Sequence, residues 1–86
     1  MPSKSHRLTL CDPAVYRIQI QGVLDESWAE ELGMGIGWIK EIGRGPVTIL
    51  KGEVLDQAAL VGLLNRLYGL GLPLVSVEWV RRRDEG

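Results

Sequence analysis

The chain predicts an α+β domain, a four-stranded antiparallel sheet with two helices on one face, and three of its stretches carry that prediction. Tyr16, Ile18 and Ile20 alternate with Arg17, Gln19 and Gln21, a two-residue period that gives a strand one buried face and one wet face. Asp56 opens a run in which Leu60, Leu63, Leu64 and Leu67 recur at i, i+3, i+4 and i+7, the stripe of an amphipathic helix. A second apolar strand, Leu72 to Val80, follows at once, separated from the helix by Gly69, Gly71 and Pro73, which stop it and prevent its resumption.

The elements between these anchors read in order. Residues 1–13 lack either period and hold Pro2, Pro13, Ser3 and Ser5, so they are expected to form a mobile arm, with Leu8 to Leu10 able to pair against another segment. The domain itself spans 14–80. Its first strand closes at Gly22. A short helix follows: Asp25 can cap it, its early acids suit the positive end of the helix dipole, and Gly33 can end it. Trp28 and Leu32, four apart, share the face expected to meet the sheet, with Trp28 closing the core.

Met34 to Ile42 reads as a second strand that ends before the turn Gly43-Arg44-Gly45-Pro46. The third, Val47 to Val54, is β-branched and apolar in its first half, as a central strand should be. In the main helix Ala59 lies on the apolar side, while Gln57, Asn65 and Arg66 face out. Alternation in the last strand sends Val75, Val77 and Trp79 to one face and Leu74, Ser76 and Glu78 to the other. Residues 81–86 form a charged tail that blunts the strand end.

The order β-α-β-β-α-β predicts a ferredoxin-like split β-α-β sandwich with strands arranged 4-1-3-2. Scale adds a constraint. A helix of about eight residues spans roughly 12 Å, whereas a strand of seven spans about 23 Å, so loop must complete the first crossover.

Asp56-Gln57-Ala58-Ala59-Leu60-x-Gly62-Leu63-Leu64, continued by Leu70-Gly71-Leu72-Pro73-Leu74-x-Ser76-Val77, resembles a segment of small uncharacterised bacterial proteins of similar length. Tyr16-x-Ile18-x-Ile20-x-Gly22-x-Leu24, Trp28 and Thr48-x-Leu50-x-Gly52 are similar to the same group, so the likeness covers most of residues 14–79. The resemblance implies no established activity and carries over no functional residue. In the related pattern the position of Val61 often holds a histidine, and chemistry resting on it is absent here.

Composition narrows the function classes. At 86 residues the chain makes one domain, near the size at which a disulfide, a metal or a partner subunit is often needed for stability. Cys11 is the only cysteine and His6 the only histidine, which excludes an internal disulfide and leaves too few soft ligands for structural zinc. Self-association is the remaining supplement. Net charge is −1, distributed as +2 over residues 1–11, −4 over 12–80 and +1 over 81–86. This acidic body argues against nucleic-acid binding, because Arg81-Arg82-Arg83 has no basic, aromatic-interleaved surface behind it. No apolar run approaches the roughly 20 residues of a membrane span, and Leu8 to Cys11 is too short for a secretory apolar region, so a cytoplasmic location is expected.

Candidate chemistry is thin. Gly33-Met34-Gly35-Ile36-Gly37 invites comparison with phosphate-cradling loops, but its glycines follow a helix and run into Trp38 instead of following a strand and opening a helix. A twisted or bulged strand entry fits them better. Cys11 lacks a histidine partner outside its own arm, and Glu30, Glu31, Glu41, Glu53 and Asp56 read as scattered surface carboxylates. No catalytic, cofactor-binding or metal-binding residue is assigned, and no cofactor is expected.

Two observations point elsewhere. Asp56 is explained as a cap, but nothing in the sequence explains Gln57, so the pair Asp56 and Gln57 is a candidate ligand contact at a helix start. Trp38 and Trp79 fall on candidate edge strands, and with Val75 and Val77 they are the candidate subunit contact. Helices on one face leave the opposite face open, and apolar residues occur in both phases of the later strands. The first expectation is therefore a non-enzymatic module that forms a homo-oligomer, a dimer above all, through the open face or an edge strand. The second is a regulatory domain that binds a metabolite at the subunit interface or in a mouth between Gly22 and Asp56. Catalysis, which would rest on carboxylates, Tyr16, Tyr68 or arginines, is the third.

Overall fold

A computed structural model describes residues 8–43 and 45–82, with side chains described outside 37–42. The elements are β1 (Ala14–Gln21), α1 (Glu26–Leu32), β2 (Gly35–Ile42), β3 (Gly45–Val54), α2 (Gln57–Gly69) and β4 (Leu74–Arg82). The four strands form one sheet in the order β2-β3-β1-β4. Every neighbouring pair is antiparallel. The fold is α+β, with two helices and a four-stranded antiparallel sheet.

The centre of the sheet is the pairing of β1 with β3, which runs without a register break from Ala14↔Val54 to Gln21↔Val47. Directly opposed residues share a face, so Ile18 and Leu50 stand side by side, as do Ile20 and Thr48. The main core lies on that face. It joins Ala14, Tyr16, Ile18 and Ile20 of β1 and Leu50 and Val54 of β3 to Ala29 of α1 and to Leu60, Leu63 and Leu67 of α2. Burying one such aliphatic side chain contributes about 1.5–3 kcal/mol.

Both helices start and stop where the sequence places their signals. The Asp25 carboxylate accepts the Ser27 N–H, and Gly33, at φ 75°, ends α1 in a left-handed turn that a side chain would strain. The Asp56 carboxylate accepts the Ala59 N–H at 2.8 Å. Two side chains depart from expectation. Trp28 is exposed, and Ala29 is the residue of α1 buried in the core, with Leu32 packed partly buried against it. Ala59 is exposed as well, one position off the buried Leu60, Leu63 and Leu67.

Thr48, the buried polar residue of the core, holds the crossover into α1. Its hydroxyl donates to the Gly22 carbonyl at 2.6 Å and accepts the Leu24 N–H at 3.2 Å. Two backbone groups of the crossover loop, in which Leu24 is buried and Val23 exposed, are thereby satisfied from β3, and a group left buried without a partner there would cost about 1–3 kcal/mol. Residues 8–13 are attached too: Gln57 N–H donates to the Leu10 carbonyl at 2.9 Å, and Leu8 packs on the core. The Thr9 N–H donates to the Asp12 carboxylate at 2.9 Å. That bond holds the Asp12 carboxyl below its ordinary range, with the Arg82 charge adding to it. A depressed carboxylate pKa contributes stability above its unfolded value and loses it as pH falls through the folded one.

Among the described glycines, Gly52 is the most closely packed. A Cβ there would lie 2.7 Å from Met34 Sδ and 3.2 Å from Met34 Cα, because the turn from α1 into β2 rests on β3 at this position. A glycine inside a central strand is the signature of such a close approach. Gly52→Ala is therefore expected to destabilise the domain by about 1–3 kcal/mol, the range for overpacking. Gly62→Ala, on α2 with nothing within 4 Å of its Cβ position, is expected to stabilise it by about 0.5–1 kcal/mol through helix propensity. Thermal unfolding of the two variants checks this, and equal shifts in the same direction would refute the packing argument.

Candidate functional site

The sheet places the sequence's candidates at separate locations. Gly22 and Asp56 are not neighbours. Gln21 opposes Val47 at one end of the central ladder and Ala14 opposes Val54 at the other, so Gly22 and Asp56 are separated by the length of an eight-residue strand, about 26 Å. No mouth forms between them. Gly33 is the cap of α1 and Gly35 enters β2 opposite Lys51, so the glycine run is a helix stop and a strand entry, followed by a register shift between Ile36 and Ile39.

Gln57 has a partner inside the chain. Its Nε2 donates to the Tyr16 hydroxyl at 3.1 Å, which gives a phenol 4% exposed its hydrogen bond and ties the start of α2 to β1. Gln57 is half-buried, not outward-facing. The carboxylates have structural uses also: Asp25 and Asp56 cap helices, and Glu31 meets Arg66 at 3.5 Å across the two helices. On the other face of the sheet Arg17 of β1 donates twice to Glu78 Oε1 of β4, at 3.0 and 2.8 Å, from directly opposed positions. Both of these side chains are substantially exposed, so the pair contributes under about 1 kcal/mol. Cys11 is exposed.

The feature that remains is the edge strand β4. Ile18 opposes Val77, Tyr16 opposes Trp79 and Ile20 opposes Leu74. Ile18, Tyr16 and Ile20 are 0%, 4% and 0% exposed, whereas Val77, Trp79 and Leu74 on the same face are 37%, 39% and 52% exposed. The helix layer covers β1 more fully than β4. Expectation is corrected twice here. Leu74 does not point away from Val77 and Trp79, because a register shift between Gln19 and Ile20 inserts Val75 as an extra residue and brings Leu74 round to their face. Nor is the sheet's far face the exposed apolar surface: Val15, Val47 and Ile49 lie on it and are buried.

Where β4 begins, it forms a groove with the end of α2. The hollow measures about 290 Å³ and is lined by Leu64, Asn65, Leu67, Tyr68, Leu72, Pro73 and Leu74. Tyr68, at 84% exposure, stands over it. Val61, Leu64 and Tyr68 form a second apolar stripe on α2 at i, i+3 and i+7, beside the one that faces the core. That spacing is present in the sequence beside the stronger leucine stripe. Trp38 belongs to β2, the opposite edge, and its side chain lies outside the described residues. A second hollow of about 260 Å³ lies against α1 beside Glu26, Glu30 and Met34.

Together these features define a small α+β domain in which several polar side chains serve caps, turns and strand pairs, and whose exposed apolar residues include a set along β4 and α2, with Leu10, Val23 and Leu55 exposed elsewhere. Residues 15–78 match the family described as Domain of unknown function (DUF8691), and the chain belongs to that family. The match begins one residue into β1 and ends at Glu78, within β4. No curated protein and no solved structure matches the chain. Among the described residues no helix is long and apolar enough to cross a membrane, and no three His, Cys, Asp or Glu are grouped as a metal site.

The Tyr16–Gln57 bond yields a direct check. If Gln57 serves to satisfy Tyr16, Tyr16→Phe and Gln57→Ala each cost about 1 kcal/mol, and the double variant costs no more than the larger single effect. Chemical denaturation of all three measures it. Additive losses would show that the two side chains act separately.

Proposed function

We propose that this domain is a small, non-enzymatic interaction module that assembles with a second copy of itself through the β4 edge, and that its architecture is of the ferredoxin-like split β-α-β type. The observation that carries the reading is the difference in burial along one face of two paired strands: β1 is covered and β4 is not. An edge strand presents unpaired backbone N–H and C=O groups along its outer side. Here that edge also bears Leu74, Val75, Val77 and Trp79, with Tyr68 beside them.

Soluble monomers rarely leave such a contiguous apolar surface uncovered. Covering it with an equivalent surface offers about 25 cal/mol per Å² of apolar area, and a standard interface of about 800 Å² per partner is a large supplement to so small a core. A twofold contact needs a self-complementary patch, and a single edge strand is one. The strand order β2-β3-β1-β4 makes β4 one of the two edges of the sheet, and the exposed apolar residues on β4 support the choice of that edge.

A second reading follows from the groove. A regulatory domain that holds a small apolar metabolite at the subunit boundary would use the hollow between Tyr68 and Leu74. Its volume of about 290 Å³ sits at the bottom of the range for small-molecule sites, about 300–1,000 Å³, which ranks this reading below the first.

Sedimentation velocity across the micromolar range tests the assembly. The wild-type chain is expected to sediment as a dimer, and Val77→Lys, which sets a charge on the apolar edge, is expected to sediment as a folded monomer with unchanged far-UV circular dichroism. A wild-type chain that stays monomeric at tens of micromolar would eliminate the proposal.

A further inference from the structure

We propose that, in the self-association just described, on which this inference rests, the two β4 strands pair antiparallel about Val77 and each copy's Trp79 enters the other copy's groove between α2 and the start of β4. The register follows from three constraints. Residues opposed across an antiparallel pair must share a face, so a twofold axis normal to the sheet passes through a residue and not between two. Register shifts relative to β1 fall at both ends of β4, between Gln19 and Ile20 and between Val15 and Tyr16, leaving Ser76 to Trp79 as its regular centre. Within that centre an axis at Glu78 would set two carboxylates directly against each other, a destabilising arrangement. Ser76 as the axis would oppose Leu74 to Glu78, and Trp79 as the axis would oppose Val77 to Arg81, and in each pair the two residues lie on different faces. Val77 remains.

With the axis at Val77, Val77 meets its own copy, Val75 meets Trp79 and Ser76 meets Glu78. Two independent features fit this arrangement. The Ser76 hydroxyl is buried without a hydrogen-bond partner in the single chain, and a turn about χ1 would aim it at the opposing Glu78, whose Oε1 takes both bonds from Arg17. Trp79, opposed to Val75, arrives next to Leu74, which lines the groove on the same face. The groove is small for a metabolite and is walled by leucine, proline and the face of an exposed tyrosine, a setting suited to one aromatic side chain.

Disulfide trapping reads the register. In a Cys11→Ser background, Val77→Cys places two thiols on the axis with Cα atoms about 4.5–5.5 Å apart, inside the reach of a disulfide. Mild oxidation is expected to link most of the protein as a dimer, while Glu78→Cys links little. The groove contact is read by dimer dissociation constants: Trp79→Ala and Tyr68→Ala are each expected to raise Kd about tenfold or more, and together by less than the product of the two. Tyr68 is so exposed that its replacement keeps the fold intact even if Trp79→Ala does not. A dimer that Val77→Cys fails to link, or in which the two substitutions multiply independently, overturns the register and the groove contact while leaving self-association standing. A strict monomer overturns both.

Discussion

Everything in this molecule follows from a shortage of helix. One helix of seven residues and one of 13 span about 10 and 20 Å, and they must cover four strands of eight to 10 residues, each about 26–33 Å long. The available cover is concentrated where it stabilises most, over the unbroken β1–β3 ladder, where Ile18, Ile20 and Leu50 lose all contact with solvent. β4 is left with a backbone partner on one side and only the end of α2 beside its start. The apolar residues that the sequence nonetheless places there account for the proposal that a second copy supplies what the helices cannot.

The same shortage explains the polar side chains. Short helices and tight crossovers leave backbone groups that longer elements would satisfy within themselves. Thr48 answers for two of them, Asp25 and Asp56 for one each, and Gln57 answers for a buried phenol. Residues that in a larger protein could be released to bind or react are committed here to holding the chain in place.

Much of the architecture was legible. Alternation gave β1 and its buried face, the leucine period gave α2, and the capping aspartates and Gly33 gave the helix limits to within a residue. What escaped was set by long-range geometry. Trp28 reads as core by hydrophobicity, but the small Ala29 takes the site of closest approach. Leu74 reads as the opposite face by simple alternation, and a bulge created by pairing with β1 reverses it. Gln57 reads as unexplained until Tyr16, distant in sequence, comes to meet it. Trp79, Val75 and Val77 were visible as an apolar set, yet their shared exposure depends on where the helix layer ends, which no local pattern reports.

Amide hydrogen exchange along β4, followed at low and high micromolar protein concentration, bears most directly on this account. An edge strand completed by a second copy gains protection at Ser76 to Trp79 as concentration rises, while the already covered amides of β1 and β3 exchange at the same rate throughout. Exchange along β4 that is independent of concentration would contradict it, and would mean that this edge meets water alone.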